Sequence, residues 1–187
     1  MEKQQTVKVR DMVEIALFTA IIVLLASTPL GYIPVTPAIN ATTMHIPVII
    51  AGVVLGWKKG AITGFLFTPL VPGGNFWSLV ICFIPRILIG VVAAFVFKGL
   101  FKLIKNETVS LAIAGLCGSL TNTILVMGMA YIFFAKQFAE VCGKEVGEIL
   151  NYIITGVILT NGVPEAIVSC IITVGVGKAL LVIIRKS

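Results

Sequence analysis

The feature that most constrains this chain is a series of apolar segments separated by short loops. Of its 187 residues, 58% are hydrophobic and only 12% are charged, whereas a soluble domain carries about 25% charged residues. This small number of polar groups cannot cover the surface of a folded protein in water. We therefore expect lipid to surround that surface. The sequence therefore predicts an all-α, polytopic membrane protein with one integral-membrane domain over residues 1–187. The predicted spans are about 11–30, 44–56, 60–71, 77–101, 109–135 and 152–184.

The distribution of basic residues predicts how these segments cross the membrane. Segments 44–56 and 60–71 are shorter than the roughly 20 residues of a spanning helix, so they could form one re-entrant hairpin or two extended helices. If both cross, eleven of the 14 basic residues fall on one side, and only Lys136 and Lys144 fall on the other. Because cytoplasmic loops carry the excess of Lys and Arg, this favours six transmembrane helices with both termini cytoplasmic. The placement of basic residues in cytoplasmic loops then explains the net charge of +6, which does not indicate a nucleic-acid partner.

Two charged residues lie inside predicted spans, where an unpaired charge costs at least about 2.5–3.5 kcal/mol. Arg86 follows a proline in "CFIPRILIG", and Glu165 follows a proline in "TNGVPEAIV". Three interpretations remain open. Arg86 and Glu165 could form a buried structural ion pair, or Arg86 could bind an anionic group of a ligand while Glu165 orients it. The third is contact with another subunit.

Neutral polar residues could complete a pocket around Arg86. Asn122 lies near the middle of span five in "SLTNTILVMG", and Asn161 precedes Glu165 by about one helical turn. Each of these alone is equally well explained by hydrogen bonds between neighbouring helices. Together they predict a small polar pocket in the outer half of the bundle. The predicted outer loops contribute further hydrogen-bonding candidates: Asn40, Thr43 and Asn75.

The chain has a single histidine, His45, in "NATTMHIPVII", where an outer loop meets an apolar segment. Thr42 or Thr43 could cap the following helix through a side-chain oxygen, which would place His45 in the first turn. There it could bind a ligand or tie the loop to the bundle. With no histidine or cysteine partner at ligand spacing, the sequence predicts no metal site, and we expect no cofactor.

Two other function classes compete with ligand capture. An intramembrane enzyme would have to act through Glu165 and His45, since the sequence contains no HExxH or GxSxG motif. A stand-alone carrier would be small and would have no visible inverted repeat. The chain also has no GxxxxGK[ST] loop for ATP. These observations favour a binding subunit of a larger transport machine.

Several stretches taken together resemble the substrate-binding S components of energy-coupling factor (ECF) transporters. Span one contains "EIALFTAIIVLL", in which Ala16 and Ala20 lie four residues apart on one helix face. A proline-rich loop follows, then "TTMHIPVIIAGVVLGWKKGAITGFLF" and "CFIPRILIGVVAAFVFKGL". The resemblance covers most of the chain and is strongest over residues 12–100. "TTMHIPVII" and "CFIPRILIG" are most similar to the pantothenate type.

The resemblance implies a six-helix protein of the plasma membrane that captures a vitamin from outside. It implies a transmembrane coupling (T) subunit and two ATPase subunits as partners, with Ala16 and Ala20 on the docking surface and no ATP hydrolysis by this chain. Pantothenate, with a carboxylate, two hydroxyls and an amide, would suit Arg86 and several neutral groups. Another vitamin, a pyridoxine- or pyrimidine-type compound or riboflavin, is the alternative.

Overall fold

The computed structural model describes residues 2–36, 39–68 and 76–186. The fold is helical, as predicted, apart from a short antiparallel hairpin in the predicted outer loop 31–43. The first half contains helix α1 (Glu2–Ala26), a 3₁₀ turn (Pro29–Gly31), strands β1 (Tyr32–Thr36) and β2 (Ile39–Thr42), and helices α2 (Ile46–Leu55) and α3 (Trp57–Phe67). The two strands pair in register from Tyr32–Thr42 to Pro34–Asn40.

The second half consists of longer helices. Its elements are α4 (Phe76–Ile104), α5 (Glu107–Cys142), a 3₁₀ turn (Val146–Glu148), the short α6 (Ile149–Asn151), a π-helix (Tyr152–Gly162) and α7 (Val163–Lys186). The π-helical geometry ends at Gly162, two residues before Pro164. α5 extends beyond the predicted span and deviates from helical geometry at Phe134.

Three helical stretches among the described residues are long and apolar enough to cross a membrane: Cys82–Ile104, Glu107–Gln137 and Val146–Arg185. The short helices α2 and α3 have 10 and 11 residues. At 1.5 Å per residue each is roughly 15 Å long, about half of the hydrocarbon thickness. These lengths agree with the short predicted segments, and six crossings stay a prediction.

Glycines bring α2, α3 and α4 into backbone contact at the centre of the bundle. The chain reverses at Gly56, whose φ of 96° favours glycine. A β-carbon at Gly52 would lie 2.2 Å from the Gly90 carbonyl oxygen, and one at Gly60 would lie 2.6 Å from the Gly52 Cα. Small residues permit such close approach between membrane helices. Residues Ile46–Val53 of α2 are all buried, so α2 lies at the centre of the fold.

Helix α1 lies at the periphery of this core. Phe18 and Ile22 are its buried apolar side chains among those described. Met12 and Leu17, by contrast, are 70% and 61% exposed. An apolar surface of this kind suits lipid or another helix rather than water.

Candidate ligand-binding site

Arg86 is buried on α4, with 7% of its surface exposed. Its Nη1 donates hydrogen bonds to the carbonyl oxygens of Phe67 at 3.1 Å and Thr68 at 3.0 Å. The guanidinium also lies 3.9 Å from the centroid of the Phe67 ring. Both carbonyls are at the C-terminal end of α3, where the helix dipole is negative. These two carbonyls therefore orient the guanidinium of Arg86.

Close packing of α3 against α4 fixes the position of Arg86. A β-carbon at Gly64 would lie 2.1 Å from the backbone oxygen of Arg86, so a larger residue there would push the helices apart. The carbonyls that hold the guanidinium lie three and four residues after Gly64. The same helix contact therefore positions both the backbone and the side chain of Arg86.

Glu165 lies in the first turn of α7 and is 7% exposed. Its Oε1 accepts a hydrogen bond of 2.5 Å from the backbone N–H of Thr42 in β2. The carboxylate therefore ties the hairpin to the start of α7. The ion pairs between described residues do not include Arg86 with Glu165, so the direct structural pair considered above is not found in this part of the chain.

His45 connects the start of α2 to α5. The ring is 1% exposed, and its Nε2 lies 3.1 Å from Ser119 Oγ. Its Nδ1 is also buried and makes no hydrogen bond of normal geometry to a described residue, although the backbone of Thr42 lies beside it. The positive charge of Arg86 is close enough to act on the ring. His45 therefore lies between the hairpin and α5.

The predicted side-chain cap of α2 is wrong. The N-cap residue is His45, and no side chain makes a capping hydrogen bond. Instead, the Thr43 hydroxyl donates to the Leu30 carbonyl at 2.8 Å. Pro47 occupies the first turn and has no N–H, so this helix start has one fewer donor to satisfy. Thr43 consequently holds the end of the hairpin against the 3₁₀ turn.

One face of α5 carries Ser119, Asn122 and Thr123, because residues three and four apart are neighbours on a helix. Ser119 is fully buried and Thr123 is 7% exposed, while Asn122 is half-buried. A β-carbon at Gly162 would lie 3.0 Å from the Thr123 methyl group. The neighbouring Asn161 buries its carbonyl oxygen. The polar face of α5 therefore meets the end of the π-helix, a geometry often found at functional sites.

Comparison with known proteins identifies the family of this chain. The model of the family described as "ECF transporter, substrate-specific component" matches residues 10–177. The chain belongs to this family. The pantothenic acid transporter PanT of Lactococcus lactis subsp. cremoris (strain MG1363) is 32% identical over 92% of this chain and 94% of its own length. The pantothenate transporter PanT of Leuconostoc mesenteroides subsp. mesenteroides is 28% identical over 96% of each.

The chain is therefore a substrate-specific component of an ECF transporter. This confirms the family that the sequence analysis predicted. The structure gathers several predicted site residues in one half of the bundle. Arg86 lies within electrostatic range of His45, and Glu165 is joined to Thr42, three positions before His45. Asn122 and Asn161 are on the facing elements α5 and the π-helix. Asn75 and the side chain of Asn40 lie outside the described residues.

Two groups of this site were missed by the sequence analysis. Ser119 bonds to His45, and its spacing from Asn122 and Thr123 could have identified it as a member of the same helix face. The backbone N–H of Thr42 gave no such signal, because 123 residues separate it from Glu165. Among the described residues, no group of three or more His, Cys, Asp or Glu side chains could hold a metal ion.

Ala16 and Ala20 lie apart from this site, on α1. Both are exposed, and the exposed Leu17 lies between them in the sequence. Two small residues four positions apart on an uncovered face leave room for the close approach of another helix.

Proposed function

We propose that this S component captures pantothenate from outside the cell, in a pocket lined by Arg86, His45 and the polar face of α5. The observation that carries the proposal is the burial of Arg86, whose guanidinium is held by the carbonyls of Phe67 and Thr68 in the half of the bundle that also contains His45 and the polar face of α5. A buried charge costs several kcal/mol unless it is compensated. An anionic ligand would be attracted to this guanidinium, and both PanT relatives are named for an anionic vitamin.

The remaining groups match the rest of this ligand. A guanidinium binds a carboxylate through charge-assisted and often bidentate hydrogen bonds. The two hydroxyls and the amide of pantothenate need neutral donors and acceptors. Asn122 and Asn161 offer amides, and His45 offers an imidazole. Three further residues of the predicted outer loops are proposed as contributors: Asn40, Thr43 and Asn75.

In this proposal the hairpin covers the pocket, and Glu165 controls its position. The carboxylate accepts the Thr42 N–H, and β2 contacts both the π-helix and α7. Loss of this hydrogen bond would free the end of the hairpin next to His45. Glu165 is then a positioning residue rather than a direct partner of the ligand.

We also propose six crossings of the plasma membrane, with cytoplasmic termini. The hairpin β1–β2 marks the end that we name the outer end, and the turn at Gly56 marks the inner end. At that turn Trp57 stacks on Phe95 of α4 with ring centroids 6.2 Å apart, and Lys59 pairs with Asp11 of α1 at 2.6 Å. These contacts support a turn between α2 and α3 that reaches the basic, cytoplasmic ends of α1 and α4.

A transmembrane coupling (T) subunit and two ATPase subunits are the proposed partners. Support comes from the family and from the exposed Ala16–Ala20 face of α1. A peripheral helix with an uncovered apolar surface can contact another membrane subunit without disrupting the core. We place ATP hydrolysis in the partner ATPases.

Calorimetric titration of the purified protein in detergent tests the substrate. We expect one pantothenate to bind per chain, and pyridoxine and riboflavin to give no heat. Binding of one of those two vitamins instead would keep the family and discard pantothenate. Turnover of a lipid or peptide by the isolated chain would favour an enzyme acting through Glu165 and His45.

Uptake in proteoliposomes tests the partners. We expect pantothenate to accumulate only when the T subunit and both ATPases are co-reconstituted and ATP is supplied. Equal uptake by this chain alone would contradict the proposed assembly and would favour a stand-alone carrier.

A further inference from the structure

We infer that the inner end of the bundle carries a binding site for one anionic phospholipid of the cytoplasmic leaflet. A groove of about 610 Å³ opens there between α1, the turn at Gly56 and α4. That volume is within the roughly 300–1,000 Å³ typical of small-molecule sites. The inference rests on the orientation proposed above, in which this end faces the cytoplasm.

The floor of the groove is apolar. Met12 and Ile62 are 70% and 46% exposed, and Ile15 and Leu55 complete the lining from α1 and α2. An apolar cleft of this kind is unfavourable in water, but it accommodates an acyl chain at no such cost. Trp57, which also lines the groove, is 42% exposed and is the residue type that prefers the headgroup region.

The rim of the groove is basic. Lys58 and Lys98 both line it and are exposed, and neither makes an ion pair with a described residue. The Lys58 ammonium lies 5.6 Å from the centroid of the Trp57 ring. Two uncompensated lysines above an apolar cleft match a phosphate attached to an acyl chain.

A carboxylate in the same lining does not oppose this assignment. Asp11 lies in the groove, but Lys59 pairs with it at 2.6 Å and with Glu14 at 2.5 Å. Arg10 pairs with Glu14 at 3.0 Å. These two cations and two carboxylates balance one another. The local positive charge therefore comes from Lys58 and Lys98.

Free phosphate would use the two lysines but would leave the apolar floor uncovered. A lipid uses both parts of the groove, which is why we assign the site to a phospholipid. Each basic residue near the surface attracts anionic lipid, so the loss of both lysines should weaken binding roughly 10- to 30-fold.

Native mass spectrometry of the purified full-length chain tests the inference. The protein in detergent would be titrated with phosphatidylglycerol, phosphatidylcholine or soluble glycerol 3-phosphate. The variant Lys58→Gln/Lys98→Gln removes the basic rim. The matched control, Lys102→Gln/Lys105→Gln, removes the same charge from the end of α4 outside the groove.

We expect one phosphatidylglycerol to bind in preference to phosphatidylcholine, and we expect the rim variant, but not the control, to lose this preference roughly tenfold or more. Equal losses in the two variants, or no preference between the lipids, would overturn the site. Equal binding of glycerol 3-phosphate would overturn the lipid as its occupant. Thermal unfolding verifies that each variant is folded. Pantothenate titration of the same samples tests the proposed function separately, because its ligand binds at the other end.

Discussion

At the outer end of the bundle, Arg86 and Glu165 are bonded to uncharged backbone groups, the carbonyls of α3 and the N–H of Thr42. At the inner end, Lys59 lies between two carboxylates of α1 within 2.6 Å of each. Arg86 and Glu165 are each 7% exposed. The side chains of the inner cluster, which consists of Arg10, Asp11, Glu14 and Lys59, are between 21% and 53% exposed. The two ends thus hold charge in different ways.

This difference separates structural charges from charges suited to a ligand. Ions that are partly solvated and paired contribute little to stability, typically less than about 1 kcal/mol. The guanidinium of Arg86, by contrast, is buried and held by two backbone carbonyls, so its position is fixed before any ligand arrives. Such preorganisation reduces the cost of ordering a binding site. We therefore expect Arg86 to act in ligand recognition and Lys59 to attach α1 to α3.

Replacement of Arg86 should have the largest effect on ligand binding. We expect Arg86→Ala to weaken pantothenate binding by about 100-fold or more, because removal of one partner of a buried charged interaction costs about 2–5 kcal/mol. Arg10→Ala is the matched control, since it removes the same residue type from the inner cluster. Calorimetric titration of both variants gives the comparison. Unchanged affinity in folded Arg86→Ala would assign Arg86 to a structural role.

The helix contact beneath Arg86 can be broken without changing any charge. Gly64→Ala should lower the free energy of unfolding by about 2 kcal/mol, as overpacking usually does, and should weaken pantothenate binding by displacing Arg86. The control is Gly99→Ala on α4, where no atom lies within 4 Å of an added β-carbon. Thermal unfolding in detergent measures both. Equal transition temperatures would show that α3 and α4 can separate freely at this point.

The bond between Glu165 and the hairpin should be the next most important contact. We expect Glu165→Leu to speed hydrogen exchange at the Thr42 amide by roughly tenfold, since hydrogen bonds to charged groups contribute about 1.5–3 kcal/mol. Glu165→Gln retains an acceptor and should have a smaller effect. Exchange measured by mass spectrometry resolves the two variants. If both leave exchange in the hairpin unchanged, the carboxylate does not hold it.

Removal of the Ser119 hydroxyl, which bonds to His45, should have a moderate effect on pantothenate binding. Ser119→Ala leaves a buried ring nitrogen without its hydrogen bond, a cost of about 1 kcal/mol or more, and should weaken pantothenate binding roughly fivefold. Ser110→Ala, also on α5 and fully buried, removes a hydroxyl that, within the described part of the chain, donates to the Asn106 carbonyl at its own helix start. We expect the control to bind normally. A fivefold loss in both variants would point to general destabilisation of α5.

The inner cluster should tolerate change best. Lys59→Met should lower the free energy of unfolding by less than about 1 kcal/mol and leave pantothenate binding unchanged. The stability difference from the unmodified protein should shrink as salt is added, because salt screens exposed charges. Unfolding at two salt concentrations measures this. A marked loss of pantothenate affinity would mean that the two ends are coupled.

Much of the fold follows from local properties of the sequence. Apolar runs predicted the helices, and the predicted span 77–101 lies within α4, Phe76–Ile104. The hairpin in loop 31–43 was not predicted, because Pro34 and Pro37 interrupt its pattern and favour turns. The helical extension of α5 to Cys142 was also missed, since polar residues end the apolar run near Ala135.

The sequence by itself determined that this is a membrane protein, because its long apolar segments are suited to lipid. It also determined that the buried charges of Arg86 and Glu165 need polar partners, because the cost of placing a charge in lipid depends on the residue and its apolar surroundings. Tertiary structure decided which groups supply it. Glu165 bonds to an N–H 123 residues away, and His45 lies against a serine 74 residues away. The His45–Ser119 contact lies where α2 packs closely on α5, since a β-carbon at Gly118 would come 2.7 Å from the Ile49 side chain, and such packing between distant segments cannot be read from local sequence.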